Sequence, residues 1–183
     1  MTKFIIGADA VFLTIIDIQE RLAAAMQHKE RVTTNTAHLI ELAKMLSIPI
    51  IVTEQYPKGL GNTITEIKTI LPPLNIHEKI AFSCCGEASF MQTASATGRK
   101  TAILAGMETH VCVLQTCLDL LKAGYNVHVV KDAICSRSDQ NWETGIELMR
   151  DAGAVITCTE TVLFQLLKVA GTEEFKAISK RIK

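Results

Sequence analysis

The stretch TAILAGMETHVCVLQTCLDLLKAG, Thr101 to Gly124, restricts the fold more than any other part of the chain. Thr101 to Ala105 is a short apolar run of the kind that forms a buried parallel strand. The chain then turns at Gly106. From about Thr109, apolar residues recur at helical spacing (Val113, Leu114, Cys117, Leu118, Leu121), and Gly124 stands at the C-cap position. This strand–turn–helix pattern places Cys112 in a first helical turn, just past the carboxyl end of a strand. Open α/β sheets bind their ligands there. Unpaired backbone N–H groups and the positive end of the helix dipole favour a thiolate at such a position. Cys112 therefore reads either as an activated nucleophile or as a buried structural cysteine.

The rest of the chain repeats the alternation. Val11 to Ile16 (VFLTII) predicts a first strand ending at Asp17, and Ile18, Gln19 and Glu20 open a helical segment. Arg31 to Leu46 has helical spacing, and Ile50 to Thr53 reads as a second strand. Glu54 to Gly61 (EQYPKGLG) is a loop by composition, and Thr63 to Leu71 a short helix. Ile76 to Phe82 reads as a third strand, Ser83 to Gly86 as a turn and Glu87 to Thr97 as a helix. Asn126 to Lys131 predicts the fifth strand, Asp132 to Ser138 a polar loop and Gln140 to Ala152 a helix. Ala154 to Thr157 predicts the sixth strand and Thr159 to Leu167 another helix. The expected fold is a three-layer α/β/α sandwich around a mostly parallel six-stranded sheet. One domain is expected over 1–183, with a core of about 11–167 and an amphipathic helical tail over 172–182.

Composition narrows the partners. Nineteen basic and nineteen acidic side chains balance, without a Lys/Arg-rich run, so neither nucleic acid nor an anionic membrane is an expected partner. No apolar run approaches a transmembrane span, and MTKFIIGADA is too short and polar for a secretory signal. Six cysteines in 183 residues suit a reduced intracellular protein, expected to be cytoplasmic with an organelle left open.

Asp17, Lys79 and Cys112 each lie at or near a predicted strand end. A cysteine hydrolase needs a thiolate, a proton carrier and oxyanion donors. Asp17 is suited to carry the proton, and Lys79 to hold thiolate and carboxylate by charge. Each has a plainer reading: Asp17 as a helix N-cap, Lys79 as a solvated edge-strand lysine. The remaining cysteines form no paired CxxC, so a structural zinc site is not expected. The histidines are scattered, and only His110, beside Cys112, is placed to line a pocket. No GxGxxG follows the first strand and no Walker motif occurs.

LTIIDIQ with Asp17, HEKIAFS with Lys79 and GMETHVCV with Cys112, in this order, resemble the isochorismatase-like cysteine hydrolases from about Val11 to Leu167. The family's G-x-x-T-x-x-C-V pattern falls on Gly106, Thr109, Cys112 and Val113. KDAICSR and AGAVITCTETVLFQLL resemble its carboxyl-terminal third. The resemblance implies an Asp17–Lys79–Cys112 triad, with Asp17 accepting the thiol proton and Lys79 orienting Cys112 and lowering its pKa. It also implies a thioester intermediate on a small amide or related C–N substrate. A cis peptide between Met107 and Glu108 would aim the Glu108 and Cys112 N–H groups at the oxyanion. The family's nicotinamidases hold a metal through an Asp-x-His and a further His. TEQYPKGLG has neither histidine, so no metal and no other cofactor is expected. Cys112 also argues against isochorismate cleavage, which uses no cysteine nucleophile. Gln19, Glu54, Gln55, Tyr56 and His110 are the candidates for contact with a small-molecule substrate. The resemblance further implies self-association as a dimer or larger homo-oligomer. A catalytically silent binding or assembly module and a redox-sensing thiol protein are the competing readings.

Overall fold

The computed structural model describes residues 2–183. Six strands build one sheet: β1 (Val11–Ile16), β2 (Ile50–Gln55), β3 (Ile76–Lys79), β4 (Thr101–Met107), β5 (Asn126–Cys135) and β6 (Val155–Thr157). Their order is β3-β2-β1-β4-β5-β6, and every neighbouring pair is parallel. The expected sandwich is therefore present, with a sheet that is parallel throughout. The direction of winding reverses between β1 and β4, which opens a crevice at their carboxyl ends.

Period-two alternation sends the strand side chains into two separate cores. Val11, Leu13 and Ile15 of β1 join Ile103 and Ala105 of β4 on one face. There they pack against α1 (Glu20–Ala24), α2 (Lys29–Met45) and α8 (Thr159–Leu167), with the tail helix α9 (Glu173–Arg181) outside. Phe12, Ile16, Ala102 and Leu104 face the other way. They meet α5 (Ala88–Ala96), α6 (Leu114–Lys122) and α7 (Asp139–Asp151). Two single-turn helices, α3 (Pro57–Leu60) and α4 (Thr65–Lys68), complete the set. Each fully buried Ile or Leu in these layers contributes roughly 1.5–3 kcal/mol relative to exposure.

The strand bounds differ from expectation where polar residues enter the ladder. β2 runs on through Glu54 and Gln55, which pair with Glu78 and Lys79 of β3, so these residues are not loop. β3 stops at Lys79 instead of Phe82. β5 continues past the polar Lys131-Asp132 to Cys135. A register shift opposite Leu104–Gly106 absorbs the irregularity. Val127 and Val129 face one core, but after the shift it is Ala133 and Cys135 that face the other. Asp132 is used at this point as a cap: its Oδ1 accepts from Thr159 N at 2.8 Å and Thr159 Oγ1 at 2.9 Å, at the start of α8. β4 likewise extends through Gly106 to Met107.

Candidate active site

Asp17 leaves β1 with a left-handed backbone, φ 53°. Its N–H donates to the Thr53 carbonyl at 3.2 Å. Its carboxylate is held from both sides: Oδ1 accepts from Thr53 Oγ1 at 2.7 Å and Oδ2 from Lys79 Nζ at 2.7 Å. The N-cap alternative is not adopted, because Gln19 occupies the N-cap position of α1. Neither side chain of the Asp17–Lys79 pair has any exposed surface, so Lys79 is not a solvated edge lysine.

Lys79 reaches this point because β3 pairs with β2 in a register that sets Lys79 beside Gln55. Besides Asp17, its Nζ donates to Gln55 Oε1 at 2.8 Å, the Phe82 carbonyl at 2.9 Å and the Ala81 carbonyl at 3.3 Å. The three short contacts use all three ammonium protons. Burial alone would lower the Lys79 pKa; the charge and hydrogen bond of the Asp17 carboxylate outweigh it and the net shift is upward. Lys79 is a fixed cation.

Cys112 arrives from the β1–β4 side. At Gly106, φ is 133° and an added Cβ would lie 2.0 Å from the Ile16 carbonyl oxygen, so only glycine permits this approach of β4 to β1. The Met107–Glu108 peptide is cis. Thr109–Val113 then forms a π-helical turn, closed by Val113 N–H donating to the Glu108 carbonyl at 3.2 Å, before α6 begins at Leu114. Widened turns of this sort recur at functional sites. Cys112 is 5% exposed, the most accessible of the three. Contrary to the expected lowering, its thiol is pushed well above the ordinary range. Burial contributes most and the negative charge of Asp17 adds to it, while Lys79 opposes them. The resting centre is thus a neutral thiol beside a carboxylate–ammonium pair.

The remaining candidates fall into two groups. Gln19 is fully buried, and its amide is spent on the Gln55 and Gly61 carbonyls at 3.0 and 2.7 Å and on Gln55 N–H at 2.7 Å. Glu54 Oε1 accepts from Thr63 N at 2.6 Å and Thr63 Oγ1 at 2.7 Å, on the opposite face of β2 from Thr53 and Gln55. Gln55 Nε2 donates to the Ile80 carbonyl at 2.7 Å. All three brace the framework; their polar atoms are turned to protein groups. Tyr56 is 51% exposed and lines a cleft of about 250 Å³ with Pro57, Lys58, Glu78, Ile80 and Glu87. His110 is half-buried, its Nδ1 2.9 Å from Ser136 Oγ.

Sequence reasoning missed three contributors. Thr53 was read as the plain end of a strand. Arg137 binds the buried Glu108 carboxylate through its backbone N–H at 3.0 Å and its Nε at 3.1 Å, fixing the start of the π turn. Gly145 lets α7 close on that turn, since a Cβ there would lie 3.1 Å from His110 N. Continued alternation through Thr53-Glu54-Gln55 was the one signal available for the first; a lone Gly in a helix signals only that something packs closely. Among the described residues no group of three or more His, Cys, Asp and Glu is arranged to hold a metal ion, and no helix is long and apolar enough to cross a membrane.

The isochorismatase domain model matches residues 11–161. A secreted isochorismatase effector of Phytophthora sojae is 42% identical over 175 residues, covering 93% of this chain and 83% of that protein. Isochorismatase family protein 1A of Dictyostelium discoideum is 39% identical over 170 residues, covering 91% and 82%. Among solved structures, the MAR1 ribonuclease of Caenorhabditis elegans superposes with a TM-score of 0.91 at 39% identity, covering 97% of this chain and 91% of that one. A similar fold at 22% identity, TM-score 0.91, is that of the Escherichia coli YcaC gene product, described as an octameric hydrolase of unknown specificity.

Proposed function

This chain belongs to the isochorismatase family, and we propose that it is a single-domain, cofactor-independent cysteine hydrolase acting on a small amide or related C–N bond. The reading rests on one observation: a fully buried Asp17–Lys79 ion pair set against the thiol of Cys112. Asp17 takes the Cys112 proton as Sγ attacks the carbonyl carbon, so a free thiolate never accumulates. The N–H groups of Glu108 and Cys112 receive the oxyanion. Collapse of the tetrahedral intermediate expels the amine, which leaves with the proton held by Asp17. Water, deprotonated by Asp17, then attacks the thioester carbonyl; the carboxylic acid product leaves as the C–S bond breaks, and Asp17 returns the proton to the Cys112 sulfur. Lys79 keeps its protons throughout and stabilises the carboxylate and the developing sulfur charge. Tyr56 and His110 are the side chains left to touch substrate. A cytoplasmic location and a homo-oligomeric state complete the proposal. Lys79, the cation beside the thiol, is already paired with Asp17, which favours a small neutral substrate over a polyanion such as RNA.

The test is ammonia release from a panel of small primary amides and ureido compounds. Wild type should turn over at least one of them, and Asp17→Asn and Cys112→Ala should not. Equal turnover by Cys112→Ala would overturn the reading. No turnover of any compound, with Cys112→Ala retaining every binding property of wild type, would establish the binding module instead.

A further inference from the structure

We infer that Thr53 is a positioning residue of the hydrolytic centre, whose hydroxyl orients the Asp17 carboxylate to receive the Cys112 proton. The inference rests on the triad reading above and adds a fourth side chain to it. Thr53 and Asp17 are linked twice, through Asp17 N–H to the Thr53 carbonyl and through Thr53 Oγ1 to Asp17 Oδ1 at 2.7 Å. A hydroxyl has one proton, and the direction in which it points decides its effect. Here the direction is fixed by a third group: the Cys84 thiol donates to Thr53 Oγ1 at 3.6 Å, which leaves the hydroxyl proton for Asp17. Cys84 is fully buried, and burial, before any charge effect, pushes its thiol up to about 12, so it remains a donor. Its own position is set by its N–H bond to Thr116 Oγ1 at 2.9 Å.

The arrangement divides the carboxylate. Oδ2 belongs to Lys79 and one side of Oδ1 to Thr53, so the carboxylate plane is fixed before any substrate arrives. Thr53 thus holds the carboxylate in one plane, with its remaining lone pairs left to take the Cys112 proton. The titratable groups around Asp17 are Lys79 of β3, Cys112 of the π turn and Cys84 of the short helix Cys84–Gly86. Neither thiol ionises near neutrality and Lys79 stays charged, so the rate of Cys112 alkylation at neutral pH reports on proton transfer to Asp17.

The experiment is the rate of Cys112 alkylation by iodoacetamide at neutral pH, read at the Cys112 peptide by mass spectrometry. It compares wild type, Thr53→Val, Thr53→Ser, Asp17→Asn and the double variant Thr53→Val with Asp17→Asn. Thr53→Val should slow alkylation about tenfold, the loss of one hydrogen bond to a charged group. Thr53→Ser should match wild type, and Thr53→Val should have no further effect in the Asp17→Asn background. Thr53→Ala replaces Thr53→Val if the latter does not fold. A purely structural hydroxyl would slow both backgrounds by the same factor, which overturns the inference while slowing in Asp17→Asn upholds the triad. An Asp17→Asn rate equal to that of wild type overturns both.

Discussion

The two faces of the sheet are built from the same strands and spend them differently. On the face covered by α1, α2, α8 and α9, the buried side chains are mostly Leu, Ile and Val, and the polar groups, such as Glu54 with Thr63, serve loops. On the face covered by α5, α6 and α7, the core includes Cys84, Cys112 and Cys117, and its carboxyl edge holds a buried ion pair. Aliphatic burial stabilises wherever it occurs. A desolvated ion pair is a poor source of stability, since removing two charges from water costs about what their attraction returns. Both faces carry an apolar core, and only the second also holds the buried charges on which the proposed chemistry rests. β2 shows the division within three residues: Thr53 and Gln55 serve the chemical face, and Glu54 between them serves the other.

The sharpest way to break this comparison is to damage each face in turn. Asp17→Asn should slow Cys112 alkylation at neutral pH by about 10²–10⁴-fold, the range of general-base assistance. Leu39→Ala, in the aliphatic core, should leave that rate unchanged while lowering stability by about 2–5 kcal/mol in urea denaturation. Lys79→Met should cost about 3–5 kcal/mol, because it leaves Asp17 buried without its partner. The double variant Asp17→Asn with Lys79→Met should recover much of that loss. Equal costs for the single and double variants would mean that the pair stabilises in its own right.

The smallest effect lies on the aliphatic face. His128 is buried with its ring nitrogen 2.8 Å from the Lys3 carbonyl, and burial lowers its pKa from 6.5. The folded state then binds fewer protons than the unfolded one, so the stability involved is present above pH 6.5 and lost as pH falls through the lowered value. His38 and His77, lowered chiefly by burial as well, act in the same direction. Urea midpoints should fall on acidification below pH 6.5, with a shallower slope in His128→Gln. An unchanged slope would assign the dependence to the other two histidines.

Much of this was legible in the sequence. Runs such as VFLTII and TAILA announce parallel strands because such strands are buried on both sides, and the helices between them keep their 3.6-residue spacing. Asp17, Lys79 and Cys112 stood out as polar groups at strand ends. The misreadings have a common cause. Glu54, Gln55, Lys131 and Asp132 look like loop residues by polarity, yet their backbone groups are satisfied by the ladder and their side chains by specific partners. Pairing across strands is a long-range fact that composition does not carry. The pKa of Cys112 was misjudged for a related reason. A helix start predicts a stabilised thiolate, but burial and the adjacent Asp17 charge exceed that local effect, and neither is visible until the chain has folded.

The parallel pairing of β3 with β2 has a consequence for quality control. A slip of one residue in that register would turn Lys79 to the opposite face, leaving Asp17 without its counter-charge and Cys112 without an organised base. On the proposed mechanism a mispaired chain would be chemically mute: Cys112 would be activated only by the same alignment that completes the sheet edge. Reactivity at Cys112 is in this sense a certificate of correct assembly, issued by strands far apart along the chain.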